Sequence, residues 1–269
     1  TKATAAAPNV TAASGLTYTG SAQALVSRGD ANTLYSASRD GVYSATDPAG
    51  TNAGTYTVWY KAKGDTNHNE SVPQSIQVTI SPKTLALTDA NIELSGNDLN
   101  TETAGDDTTY YYEYDGTEKT PSVVVKDGAA PIPASEYTVT YSGNKSVGTA
   151  TVTITDNEGG NYTVSGSVTF EIRKGGAQLT SSPQARDLTY TGQLQELVTV
   201  GTATGGHLEY SLDGGAYSEA IPKADLAKTY TVTYKVVGDG NHEDDTTVGS
   251  VTVTITPTTV ISPKITVDG

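Results

Sequence analysis

Apolar and polar residues alternate in short runs along most of this chain, with the two-residue period of a β-strand. In Thr55-Tyr56-Thr57-Val58-Trp59-Tyr60-Lys61 one parity carries Tyr56, Val58 and Tyr60, and the other carries Thr55, Thr57, Trp59 and Lys61. The same parity sets Tyr230, Val232 and Tyr234 against Thr231, Thr233 and Lys235, and Ala150, Val152 and Ile154 against Thr151 and Thr153. An apolar side opposite a Thr-rich side predicts antiparallel sheets with one face buried on a second sheet. A helical turn is expected only at a corner such as Lys223-Ala224-Asp225-Leu226-Ala227-Lys228. Composition strengthens this reading, because 45 Thr and 17 Tyr suit a pleated surface while Met is absent and other helix formers are sparse. The 28 Gly and 11 Pro fall mostly between the alternating runs, as turns joining short strands do. The expected fold class is all-β.

Self-similarity sets the domain organisation. Leu16-Thr17-Tyr18-Thr19-Gly20 returns 172 residues later as Leu188-Thr189-Tyr190-Thr191-Gly192. Gly64-Asp65-Thr66-Asn67-His68 returns as Gly238-Asp239-Gly240-Asn241-His242. A more distant copy between them opens with Tyr114-Asp115-Gly116, runs through Gly148-Thr149-Ala150-Thr151-Val152 and Gly160-Asn161-Tyr162, and closes on Phe170-Glu171-Ile172. The closing runs Val78-Thr79-Ile80, Phe170-Glu171-Ile172 and Val253-Thr254-Ile255 are each followed by a short joint, two of them containing Pro. Three tandem β-sandwich modules are therefore expected, at 1–81, 82–174 and 175–257, with 258–269 as a tail or the start of a further strand. Joints this short restrict the angle between neighbours, so the modules are expected in an elongated row spanning on the order of 100 Å.

At this level the residues resemble a known family. Ala53-Gly54-Thr55-Tyr56-Thr57-Val58 is similar to the approach into strand F of immunoglobulin-like domains, where a Tyr stands two residues before the core Cys. Val58 and Val232 occupy the Cys place here, and Ala150 occupies the Tyr place in the middle copy. The Leu16-Thr-Tyr-Thr-Gly, Gly54-Thr-Tyr-Thr-Val and Gly-Asp-x-Asn-His motifs resemble the Ig-like modules called MBG in large bacterial surface and secreted proteins. The middle copy, with Tyr114-Asp115-Gly116, resembles their YDG-type relatives. These are turn and core motifs, so what the resemblance implies about function is analogy from fold.

Charge and chemistry narrow the function classes. With 16 Lys and Arg against 30 Asp and Glu, the net charge of -14 repels phosphate backbones and anionic lipid surfaces, and nucleic acid is not an expected partner. No apolar run is long enough to span a membrane, and with no Cys no disulfide framework exists. No initiator Met or leader opens the sequence at Thr1, which predicts a processed segment of something larger. The three His, at 68, 207 and 242, form no metal-ligand spacing, and His68 and His242 are read as turn residues whose rings cap loop backbone. No cofactor and no metal are expected. The acidic loops at Asp106-Asp107, Asp156-Asn157-Glu158 and Glu243-Asp244-Asp245 are weak calcium candidates, with Asp244 and Asp245 foremost. No Lys is placed on a core-facing position beside an acidic partner, which argues against Lys-Asn cross-links.

Two aromatic positions stand out as binding candidates. Trp59 falls by alternation on the outer face, where the sister copies have Thr233 and Thr153. In the run Tyr110-Tyr111-Tyr112-Glu113-Tyr114, alternation turns Tyr110, Tyr112 and Tyr114 toward a core and leaves Tyr111 on the other face. The expected function is a non-catalytic spacer or stalk of a bacterial cell-surface or secreted protein, presenting a neighbouring domain and contributing to adhesion. The alternative is an adhesin module recognising a host glycan or extracellular protein through the aromatic face.

Overall fold

The computed structural model describes residues 1–105 and 107–259. The chain divides into two compact units, one made of Thr1–Asn97, Pro121–Ser142 and Thr151–Thr169, the other of Asp98–Thr120, Gly143–Ala150 and the chain from Phe170. Both are built of β-strands, and no α-helix occurs among the described residues.

In the first unit the strand Gly54–Ala62 lies between Thr33–Ser36 and the closing strand Gln74–Ser81, antiparallel to both. The far end of the closing strand takes a third partner, Leu16–Thr17, in parallel, with Ile80 opposite Leu16. Alternation decides what this sheet buries: Val58, Tyr60, Val78 and Ile80 point inward with Tyr35, while Thr55 and Thr57 point out. The buried face packs on Val10, Leu25 and Val26, carried by a second layer of short ladders. Two layers over one apolar seam make a sandwich. The same unit holds Ile92–Ser95 antiparallel to Ser122–Asp127. It also pairs Tyr137–Ser142 antiparallel to residues 151–156. Val125, Val152, Ile154 and Val164 there are all fully buried.

The second unit repeats the four-strand order. Thr229–Gly238 lies antiparallel between Gly206–Leu212 and the closing strand Asp245–Thr256, whose end pairs in parallel with Leu188–Thr189. Tyr230, Val232, Tyr234 and Val236 face inward onto Leu197, Val198 and Ala224. A bulge between Tyr234 and Val236 shifts the ladder. Also in this unit, Tyr111–Glu113 runs parallel to Glu171–Arg173, and Asn100–Ala104 runs antiparallel to Asp107–Tyr111.

The tyrosine at the start of the inward face makes the same local bond in both sheets. The Tyr56 hydroxyl donates to the Asn52 carbonyl at 2.7 Å, and the Tyr230 hydroxyl to the Leu226 carbonyl at 3.0 Å. A phenol reaching back to backbone a few residues upstream is the tyrosine corner of immunoglobulin-like sandwiches. Ala150 has no hydroxyl with which to make it.

The helical turn expected at Lys223–Lys228 is not formed. Lys223–Ala224 is a short strand paired with Gln195–Glu196, and the chain then bends. The carbonyls that a helix would use internally are otherwise engaged: Pro222 accepts from the Leu197 amide and Lys228 from the Ile255 amide across the fold, while Leu226 accepts locally from the Tyr230 hydroxyl and the Lys228 amide. Donors from other strands have displaced i→i+4 bonding, and among the described residues helical turns are limited to the 3-10 turns Asp89–Asn91 and Ala134–Glu136. Of the tail, residues 260–269 lie outside the described residues.

Removing either corner hydroxyl, by Tyr56→Phe or Tyr230→Phe, is expected to cost about 1 kcal/mol, the usual net worth of one such bond. Urea unfolding midpoints measure it. No loss in either variant would mean that the corner is incidental to the fold.

Candidate functional site

The Asp-x-Asn-His turns are fastened by their aspartates. Asp65 accepts from the Asn67 and His68 amides, both at 2.7 Å, and shares a hydrogen bond with His68 Nδ1 at 3.0 Å. Asp239 accepts from the Asn241 amide at 2.8 Å and meets His242 Nδ1 at 2.7 Å. This corrects the expectation that the imidazole caps the loop backbone. A carboxylate offers several lone pairs to converging N–H groups, so it caps, and the ring is held by the same carboxylate. The His68 bond and then the backbone amides hold the Asp65 carboxyl below its ordinary range, and Asp239 is lowered by His242 and the Asn241 amide in the same way.

The middle copy solves the same problem from elsewhere in the fold. Its Gly160-Asn161-Tyr162 turn has no aspartate, and the buried Glu136 supplies the acceptor, taking the Asn161 amide at 2.7 Å and the Tyr162 amide at 3.2 Å. Sequence reasoning did not single out Glu136. The missing turn aspartate was the signal that a distant carboxylate had to replace it.

These turns meet the tyrosines of the Tyr-x-Gly motifs. In the first unit the rings of Tyr18 and Tyr162 lie edge to face, with centroids 5.3 Å apart. In the second unit Tyr114 and His242 repeat that arrangement, also at 5.3 Å. The backbone around each contact matches. Tyr18 N–H donates to the Ser81 carbonyl and Lys83 N–H to the Asn161 carbonyl; Tyr114 N–H donates to the Arg173 carbonyl and Gly175 N–H to the Asn241 carbonyl. The glycine two residues after each tyrosine, Gly20 or Gly116, has φ of 78° or 80°, a left-handed turn that a side chain would strain. Burial at the contact, together with Asp127, pushes the Tyr162 phenol up.

Trp59 sits where alternation places it, half-buried on the outer face, in register with Ser36 and Ser75. On the same parity Lys61 pairs with Glu70 at 2.6 Å and stands 4.3 Å from the centre of the Tyr43 ring. Tyr111 is half-buried, with the Arg173 guanidinium 3.8 Å from its ring centre, and Arg173 is held by Glu102 and Glu171. One face of that ring is thus occupied within the chain. Tyr112 is the buried member of the run, edge to face with Phe170, while Tyr110 and Tyr114 are half-buried.

The reading that no Lys meets an acidic group at a core-facing position is also corrected. Lys119 is buried beneath the Tyr-Asp-Gly turn, with its amine 2.7 Å from Asp115 and near the Tyr112 ring. Periodicity missed it because Lys119 lies in a turn, outside any alternating run. Its Nζ is taken by Asp115 and the Thr117 hydroxyl, and the Asp115 carboxyl is held well below the usual carboxylate range by Lys119 and then by Thr117.

The calcium candidates are used as turn fasteners. Asp244 accepts from the Gly238 amide and Asp245 from the Thr247 amide, both at 2.8 Å. Asn157 bonds Thr138 and the Ser135 carbonyl. Asp107 is exposed, and Asp106 lies outside the described residues. Among the described residues no three His, Cys, Asp or Glu side chains gather as a metal site would need. His207 meets Glu219 at 3.4 Å. A recess of about 350 Å³ in the first unit, lined by Leu25, Tyr35, Val42, Tyr56 and Asp47, was not signalled by the sequence. No helix among the described residues is long and apolar enough to cross a membrane.

No family model matches the chain. No curated protein matches it either. A solved structure of the fibronectin(III)-like modules of Clostridium thermocellum CbhA is similar at 13% identity over 77% of this chain and 87% of its own, with a TM-score of 0.23. The sandwich assignment rests on the ladders and buried faces described above.

Two outcomes follow from this geometry. Trp59→Ala is expected to keep the fold, since the ring lies outside the core; loss of the folded circular-dichroism signal would make it structural. Asp115, Asp65 and Asp239 have lowered folded pKa values, as does Asp213, which accepts from the Thr231 amide and from Lys228, so the stability they add is present above about pH 4 and is lost as pH falls through those lower values. Asp115→Asn is expected to flatten the decline in unfolding midpoint below about pH 4. An acid limb of unchanged steepness would remove Asp115 from the account.

Proposed function

We propose that this chain is a non-catalytic spacer from a bacterial surface or secreted protein, made of three tandem Ig-like modules at 1–81, 82–174 and 175–257. The first and third are read as MBG-like and the middle one as YDG-like. The row carries a neighbouring domain of the parent protein away from the cell surface and adds to adhesion as a secondary role. One observation supports this above others: the contact of Tyr18 with Tyr162 and that of Tyr114 with His242 are built from equivalent repeat positions, with the same backbone bonds around them. A repeated joint suits a device whose task is to hold neighbours at a set angle. The titratable side chains described above cap turns or pair with one another, which suits structure better than proton transfer at a substrate.

A second reading has its own observation. Trp59 is an indole on an outer sheet face, flanked by small Ser residues that leave the ring approachable. Stacking of a sugar or a partner side chain on it would make the chain an adhesin for host glycan or matrix protein.

Small-angle scattering at several concentrations tests the first reading, and glycan binding tests the second. The spacer reading expects a rod on the order of 100 Å with no concentration dependence, from strands of about six to eight residues set end to end. A compact particle would contradict it. Glycan-array binding abolished by Trp59→Ala would move the assignment to the adhesin.

A further inference from the structure

The joint has a third, open copy. Tyr190 stands where Tyr18 and Tyr114 stand: its N–H donates to the Thr256 carbonyl at 2.8 Å, as theirs do to Ser81 and Arg173, and Gly192 follows with φ of 74°. Tyr18 and Tyr114 are half-buried under a turn, whereas Tyr190 is 41% exposed and has no ring partner among the described residues. The socket side shows the converse. Tyr162 and His242 are half-buried by their tyrosines, and the equivalent His68 is exposed.

We propose that Tyr190 is the open half of this joint and docks a further module of the same kind, through a Gly-Asn-Tyr or Gly-Asn-His turn, immediately after Pro257. The sequence around that point carries the required register. Thr256-Pro257-Thr258-Thr259 aligns with Ser81-Pro82-Lys83-Thr84, where Lys83–Ala86 is the opening strand paired in parallel with Tyr162–Ser165. The occupant is covalently linked and not a second copy of the chain. A single aromatic contact with a few hydrogen bonds is too little to hold two free chains together, but a two-residue linker makes the encounter intramolecular. The inference rests on the tandem-module reading and is independent of whether the row acts as a spacer.

Nitration by tetranitromethane, mapped by peptide, tests it. In the unaltered chain Tyr190 is expected to react several-fold faster than Tyr18 and Tyr114; equal rates would overturn the proposal. A second form of the full chain carries a copy of residues 83–174 inserted after Pro257, which recreates the Pro82-Lys83 step. Its folding is verified by Tyr112 staying unmodified in both copies, and a copy of 175–257 replaces the insert if it is not. With a folded insert, Tyr190 is expected to slow to the rate of Tyr18. Undiminished reactivity would refute docking. Protection of Tyr190 in the unaltered chain that grows with concentration would also refute it, because the occupant would then be a second copy. In the form carrying the folded insert, a rod by scattering with Tyr190 still reactive overturns the docking and leaves the spacer reading standing. In that same form, a compact particle with Tyr190 protected supports the joint and contradicts the spacer reading.

Discussion

Everything in this chain hangs on the closing strand of each repeat, because that strand is paired in more than one direction. Gln74–Ser81 holds Gly54–Ala62 antiparallel and Leu16–Thr17 in parallel, and Asp245–Thr256 holds Thr229–Gly238 and Leu188–Thr189 in the same way. Parallel pairing at the far end draws a segment from the start of the repeat to its finish. That closes the sandwich and presents the Tyr-x-Gly turn where the chain leaves. Antiparallel pairing along the length buries the Val and Tyr face. With one Phe, no Met and no Cys, the cores are made mostly of Val, Ile and Tyr with some Leu and Ala, which suits short strands.

The exit of the closing strand is also where one repeat meets the next. The last carbonyl of the strand accepts from the tyrosine amide, and two residues later the chain has already begun the opening strand of its successor. Gly175 is there for a steric reason: a Cβ would stand 2.5 Å from the Tyr114 carbonyl oxygen. The edge-to-face ring contact adds about 1 kcal/mol to a geometry the backbone has already imposed. Acidic side chains complete the structure by capping turns. The excess of carboxylates is therefore partly structural, and it falls on the turns where backbone N–H groups converge.

Period-two alternation made the sheets legible. Tyr56, Val58 and Tyr60, and Tyr230, Val232 and Tyr234, face as their parity requires, and the all-β class follows from the same pattern. The tyrosine corners were legible as a resemblance and took physical form as hydroxyl-to-carbonyl bonds at Tyr56 and Tyr230. Interactions between turns and distant segments were not legible. Glu136 caps a turn 25 residues away, Lys119 is buried by the turn that precedes it, and Asp65 instead of His68 does the capping. None of these has a periodic signature, because each depends on which loop the fold brings beside which N–H group. The absence of a helical turn at Lys223–Lys228 belongs with them, since carbonyls there are claimed by residues such as Leu197 and Ile255. For Trp59 and Tyr111, alternation located the faces, but only the fold revealed that Arg173 already covers one side of Tyr111.

Closing strand, tyrosine and turn together hold one repeat against the next. The most direct measurement is 15N relaxation of the intact chain beside its Tyr18→Ala variant, comparing the rotational diffusion reported by amides of Gly54–Ala62 with that reported by Tyr137–Ser142. One shared anisotropic tumbling is expected in the native chain and two partly independent ones in the variant. Independent tumbling already in the native chain would contradict it.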